Sequence, residues 1–219
     1  MRYLLYFFYL EWYWGIRLAY FIIRHEIGGE KKYGIHTIGN DNLSGAISDE
    51  DRKHVSTYEP VNYYTSGRLF DYLQPTDLKT TLLDVGCGKG RVLAMGAAYG
   101  FSDIIGIDFS KKLCDAAANV CSVIKTKYPD RSVIIECADA RNYRIPETVG
   151  VIFLFNPFDA VVMDEFIKKV SESLCRKNRP LKVLYANSQC KQQWLKAGFK
   201  EIASFVKNKY LQGSVMERK

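Results

Sequence analysis

The chain has 219 residues, 47% hydrophobic and 25% charged, which are the proportions of one folded domain of ordinary size and exclude a disordered or fibrous protein. The net charge of +7 is uneven: residues 176–219 hold eleven Lys and Arg against Glu201 and Glu217, an excess larger than the total, so the rest of the chain is slightly acidic. Six scattered cysteines with no C-x-x-C pair exclude a disulfide framework and indicate a reducing, cytoplasmic setting, while three distant histidines suggest no metal site.

Residues 3–23 read YLLYFFYLEWYWGIRLAYFII, long enough to span a bilayer but interrupted by Glu11 and Arg17. No small-residue cleavage site follows, which argues against a signal peptide. Three readings stand: a helix packed on the rest of the protein as a lid or dimer surface, a helix lying in a membrane surface through residues 1–24, or a membrane crossing. The second reading associates the protein with the inner face of a membrane. Gly28-Gly29 is expected to end the helix, and the polar stretch Glu30 to Glu59 reads as a connector. Residues 1–57 thus form a helix with its connector, and residues 58–219 a separate domain.

Within that domain a helical pattern covers Ser66 to Leu73, followed by a strand at Thr81–Val85 and a helix at Arg91–Tyr99. A second strand, Asp103–Ile107, ends at Asp108, and Ser110 caps a helix reaching about Lys127. A third strand, Ser132–Cys137, ends near Asp139. The continuous apolar run Val149–Phe155 is that of a central strand buried on both faces. A helix over about Val161–Leu174, a strand at Leu181–Ala186 and a short helix near Gln192–Ala197 follow. Phe199–Phe205 and Gly213–Arg218 make a closing hairpin. The alternation predicts an α/β fold, a doubly wound, seven-stranded, mainly parallel sheet with an antiparallel C-terminal strand and an N-terminal aromatic helix.

The most specific stretch is Leu82-Leu83-Asp84-Val85-Gly86-Cys87-Gly88-Lys89-Gly90. An apolar strand, an Asp and alternate glycines before a helix let the backbone approach a ligand closely. A dinucleotide-binding turn would place its third glycine at position 91, which holds Arg91. The pattern D-x-G-x-G-x-G resembles instead the first motif of class I S-adenosylmethionine (SAM) dependent methyltransferases, and the resemblance runs from about residue 58 to the end of the chain.

The resemblance implies that fold, SAM as cofactor, and roles for individual residues. Gly86, Cys87, Gly88 and Gly90 would admit the methionine and ribose portions, and Asp84 would help hold the methionine ammonium group. Asp108, 24 residues after Asp84 in Gly-Ile-Asp-Phe-Ser, would accept the ribose hydroxyl protons, with Phe109 against the adenine; the alternative for Asp108 is a helix N-cap. Asp139, followed by Ala140, would accept from the adenine amino group, or else form a local turn with its own backbone. Tyr58 and Tyr63 would cover the methionine end, or simply pack.

The strand at 149–155 runs into Asn156-Pro157-Phe158. In this fold that edge faces the methyl group. A neutral amine nucleophile needs acceptors for its remaining hydrogens so that its lone pair points in line, and Asn156 can supply one without acting as a strong base. Phe158 would exclude water and hold the cation that forms. The segment resembles the Asn-Pro-Pro-aromatic motif of amino-group methyltransferases, one proline shorter. With Tyr64-Thr65-Ser66 it is also similar to the histone-lysine methyltransferases named for disruption of telomeric silencing. The alternative is a turn after the strand.

The expected activity is methylation of an amine nitrogen, such as a protein lysine. A small molecule or nucleic acid as acceptor, and a SAM-binding module without catalysis, are the rivals. The basic C-terminal third would meet an anionic partner, or forms a solvated face.

Overall fold

The structure, a computed structural model, describes residues 2–39 and 58–219; the middle of the connector expected over Glu30–Glu59 lies outside the described residues. Seven strands form one sheet in the order β3-β2-β1-β4-β5-β7-β6. They are β1 (Thr81–Val85), β2 (Asp103–Asp108), β3 (Ser132–Cys137), β4 (Val149–Phe155), β5 (Leu181–Ala186), β6 (Lys200–Lys207) and β7 (Leu211–Arg218). β1 to β5 are mutually parallel, and β7 runs antiparallel between β5 and β6. The antiparallel strand therefore sits one place in from the edge, because the β6–β7 hairpin folds its last strand back onto β5.

The helices are α1 (Arg2–Trp14), α2 (Ile16–Tyr33), α3 (Tyr63–Phe70), α4 (Arg91–Tyr99), α5 (Lys111–Lys127), α6 (Ala160–Arg176) and α7 (Lys191–Lys196). Successive residues of a strand point to opposite faces, and the core divides accordingly. Leu82, Val151 and Phe153 join a layer with α3, α4 and α5, while Leu83, Ile152 and Leu154 join a second layer with α6 and Trp194 of α7. Both layers are apolar, and β4, buried between them, reads as an uninterrupted apolar run. The caps follow local chemistry: Ser110 Oγ accepts from Leu113 N, and Asp159 Oδ1 accepts from Val161 N and Val162 N.

The N-terminal segment departs from the expected single helix. It is a helical hairpin broken at Gly15, whose φ of 84° no β-carbon residue adopts without strain. Gly28-Gly29 does not end α2. The helix continues to Tyr33 because Gly29 is pressed against the Tyr63 ring, where a β-carbon would lie 2.3 Å from Cγ, and because Glu26 and Glu30 anchor the last turns. Among the described residues no helix is long and apolar enough to cross a membrane. α3 likewise starts earlier than the expected Ser66, since the Asn62 side chain accepts from Tyr64 N and caps it.

Several cations of the basic C-terminal segment are engaged within the fold. Lys182 is buried against Asp77 at 2.5 Å and near Glu217, Arg176 pairs with Glu147, and Lys191 pairs with Glu201. Arg179 donates to the carbonyls of Val149 and Ser173, and Arg218 to that of Ala197. Much of the excess charge thus ties the carboxyl-terminal strands to α6 and the loops beneath them.

Candidate functional site

The C-terminal ends of β1, β2 and β4 border a cleft that opens to solvent. The cleft gathers Asp84, Gly86 and Cys87 from the first turn, Asp108 and Phe109 after β2, Asp139 and Ala140 after β3, and Asn156, Pro157 and Phe158 after β4. Residues that lie as much as 74 positions apart in sequence meet there because parallel strands present all their carboxyl ends on one edge.

Gly88 and Gly90, named with the turn, do not line the cleft. The turn needs left-handed backbone at positions 86, 88 and 90, with φ of 72°, 55° and 85°. Gly88 also faces the Tyr58 ring, where a β-carbon would sit 2.2 Å from Cε2. Gly90 starts α4 against Ala117 and Val120. These two glycines shape the turn from behind.

Asp84 is buried, and its Oδ2 has no hydrogen-bond partner among the described residues. Desolvation, reinforced by the Asp108 carboxylate, pushes its pKa well above the usual carboxylate range. An orphaned, buried acceptor at the mouth of a glycine turn calls for a donor, preferably a cationic one. Asp108 is built into the turn: Oδ2 accepts from Gly88 N and Oδ1 from Ser110 N, each at 2.9 Å. Burial raises its pKa against the pull of those N–H donors. Ser110, not Asp108, caps α5. Each Asp108 oxygen keeps a second lone pair for a further donor. Asp139 makes the local turn that its sequence allowed, accepting from Arg141 N at 2.8 Å, and also pairs with the Arg141 guanidinium.

Asn156 takes φ 40°, a left-handed conformation that Asn tolerates better than most residues. Its Oδ1 is buried with no hydrogen-bond partner among the described residues. Pro157 packs on the open side of Gly86, where a β-carbon would be 2.5 Å from Pro157 Cβ, so the two strand ends interlock. Phe158 stands edge-on to Phe166 with ring centroids 6.0 Å apart.

Tyr58 lines the cleft and donates to the Thr37 carbonyl at 3.0 Å. Tyr63 is not at the cleft; it stacks on Tyr33 under the Arg91 guanidinium. Sequence reasoning missed Arg91 as more than a displaced glycine, and missed Glu26 altogether. Arg91 is buried, lines the inner wall, and bonds Glu26, Thr37 and the Val61 carbonyl. Glu26 and Glu30 both lie on the buried side of α2, but nothing local named Arg91 as a partner.

A family described as a methyltransferase domain matches residues 82–180. Among solved structures the chain is similar to a ribosomal protein L11 methylase from Lactobacillus delbrueckii subsp. bulgaricus, at 15% identity and a TM-score of 0.53, covering 83% of this chain and 100% of that one. A SAM-dependent methyltransferase from Aquifex aeolicus gives 14% identity and a TM-score of 0.51 over 69% and 97% of the two chains. A StiE O-MT fragment gives 15% identity and a TM-score of 0.50, and there the matched part covers 63% of this chain but only 50% of the other. No curated protein matches the sequence.

Proposed function

We propose that the chain is a class I SAM-dependent methyltransferase, with SAM as its cofactor, and that it methylates an amine nitrogen, such as that of a protein lysine; the methyltransferase-domain match over residues 82–180 and the shared fold support the first part of that reading. The fold does not choose the acceptor, since an O-methyltransferase and a ribosomal protein methylase share it. The observation that carries the reading is Asn156 Oδ1, an acceptor with no partner among the described residues, at the end of β4 beside Phe155 and Phe158.

The residues present fit the cofactor. The orphaned Oδ2 of Asp84 suits an ammonium group, the spare lone pairs of Asp108 suit vicinal hydroxyls, and Phe109 offers a flat apolar face to a base. Asp139 would reach the exocyclic amine with the capacity that Arg141 leaves it. When bound, SAM supplies a methyl group on a sulfonium centre. The chain's own part is positioning. Asn156 accepts a hydrogen of a neutral amine and so directs its lone pair, while Phe155 and Phe158 keep water away and tolerate a cation. A hydroxyl acceptor would spend its single hydrogen on Asn156 and would still need a base to take it; an amine has a hydrogen to spare.

Radiolabelled SAM incubated with a fractionated lysate tests the proposal. Label that enters protein and survives acid hydrolysis as methylated lysine supports it. Label confined to nucleic acid or to lipid and small-molecule extracts overturns it.

A further inference from the structure

The broken N-terminal helix places aromatic residues where a continuous helix would not. Trp14, at the end of α1, stacks on Tyr210 in the β6–β7 turn with centroids 5.2 Å apart and planes 6° from parallel. The reversal at Gly15 and the reversal at Asn208–Lys209 therefore form one composite tip. Its outer surface is apolar and open: Trp12 is 85% exposed, Tyr13 62%, Ile16 60% and Val206 66%.

The underside is fixed. Leu10, Leu18, Ile22 and Leu211 are buried together, so the hairpin is docked on the domain and its outer face is held in place. Cations flank the tip: Arg17 in the first turn of α2, and Lys207 and Lys209 in the strand turn. Within residues 8–20 and 205–212, Glu11 is the only carboxylate.

We propose that this composite tip docks the protein on an anionic lipid bilayer. Trp and Tyr mixed with Lys and Arg are the composition of a membrane interface, where amphipathic rings sit at headgroup depth and cations meet lipid phosphates. A second copy of the chain is a poorer occupant, because an isologous contact would set the same cations against themselves. The strand register adds direction. Ala186 pairs with Gly213, and Lys207 with Leu211, so the β6–β7 turn projects from the sheet edge that also carries the cleft. A bilayer bound at the tip lies on the side of the molecule where the acceptor enters. The docking does not depend on the identity of that acceptor.

Sedimentation of the full chain with phosphatidylcholine vesicles, with and without phosphatidylglycerol, tests the surface. Tryptophan emission reports the contact, since Trp194 is fully buried and only Trp12 and Trp14 can respond. The protein is expected to pellet with the anionic vesicles, shift its emission to the blue, and release with added salt. Replacing Lys207 and Lys209 with Gln should weaken partitioning roughly 25-fold, at about fivefold per charge. Trp12→Ser should weaken it on the same vesicles while leaving thermal unfolding unchanged. Folded protein that stays in the supernatant, or binding indifferent to these substitutions, overturns the proposal. So does a concentration-dependent dimer that the same substitutions dissolve.

Discussion

Arg91 donates to Glu26 Oε1 at 2.9 Å, and both side chains are only 3% exposed, so the first residue after the glycine turn is locked to a helix 65 positions upstream. Arg91 also lies 4.0 Å from the centroid of the Tyr63 ring. The N-terminal hairpin is thereby part of the wall behind the cleft. A buried pair contributes little net stability over an apolar pair, but removal of one partner strands a charge. Glu26→Ala should therefore cost about 3–5 kcal/mol, lowering the melting temperature by roughly 6–20 °C for a chain of this size. Glu26→Leu combined with Arg91→Met should recover most of that loss. Equal melting of the single and double variants would show that the pair is not coupled.

Asp84 gives a pH dependence with a definite sign. Its folded pKa is raised by burial and by Asp108, so the folded apo protein holds the proton more tightly than the unfolded chain does. Ionisation then costs stability as pH climbs from the unfolded value, and the full cost is present above the folded one. A ligand ammonium beside Oδ2 favours the charged form. SAM affinity should fall as pH drops through the raised pKa, and binding below that pKa, where the apo carboxyl holds its proton, should release one. Calorimetry in buffers of different ionisation enthalpy counts that proton. Asp84→Asn should abolish the release, stabilise the apo protein at neutral pH, and weaken SAM by about 10- to 100-fold, the worth of one charge-assisted hydrogen bond. A flat affinity profile in the unaltered protein would rule this coupling out.

Asn156 combines a backbone and a side-chain role that can be separated. Asn156→Gly keeps the φ of 40° without strain but deletes the acceptor. Loss of a group that orients the nucleophile is expected to lower kcat about 100-fold, with SAM affinity nearly unchanged. Asn156→Ala should show the same kinetic loss plus reduced stability. Full activity in the Gly variant would reduce Asn156 to a turn residue.

The sheet was legible in the sequence because its central strands are buried on both faces and read as bare apolar runs: Thr81–Val85, Val149–Phe155 and Leu181–Ala186 begin and end where the residues predict. Asp84 near the end of β1, Asp108 at the end of β2 and Asn156 just past β4 were legible as strand tips, since each interrupts or closes an apolar run. The local turn at Asp139 stood among the alternatives, but its pairing with Arg141 did not. Two things had no local signal. The hairpin of α1 and α2 depends on which of Gly15, Gly28 and Gly29 breaks the helix, and tertiary contacts decide that. The Glu26–Arg91 pair joins positions whose only relation is through the folded core.

Gly28 and Gly29 show how contacts override local preference, and they give opposite predictions for the same substitution. Both lie within α2, where Ala is favoured over Gly by about 0.8–1.0 kcal/mol. A β-carbon at position 28 meets nothing within 4 Å, so Gly28→Ala should stabilise the protein by nearly that amount. At position 29 it would lie 2.3–2.6 Å from three atoms of the Tyr63 ring, which is itself held between Tyr33 and Arg91 and cannot swing away. Overpacking of this kind costs about 1–3 kcal/mol, enough to outweigh the helix preference, so Gly29→Ala should destabilise. Because Arg91 shares the Tyr63 ring, the Gly29 variant should also weaken SAM binding, and the Gly28 variant should not. Denaturant unfolding of the two single variants, followed by SAM titration, checks both signs. Stabilisation by Ala at both positions would mean that α2 does not press on Tyr63 and that the N-terminal hairpin is not part of the cleft wall.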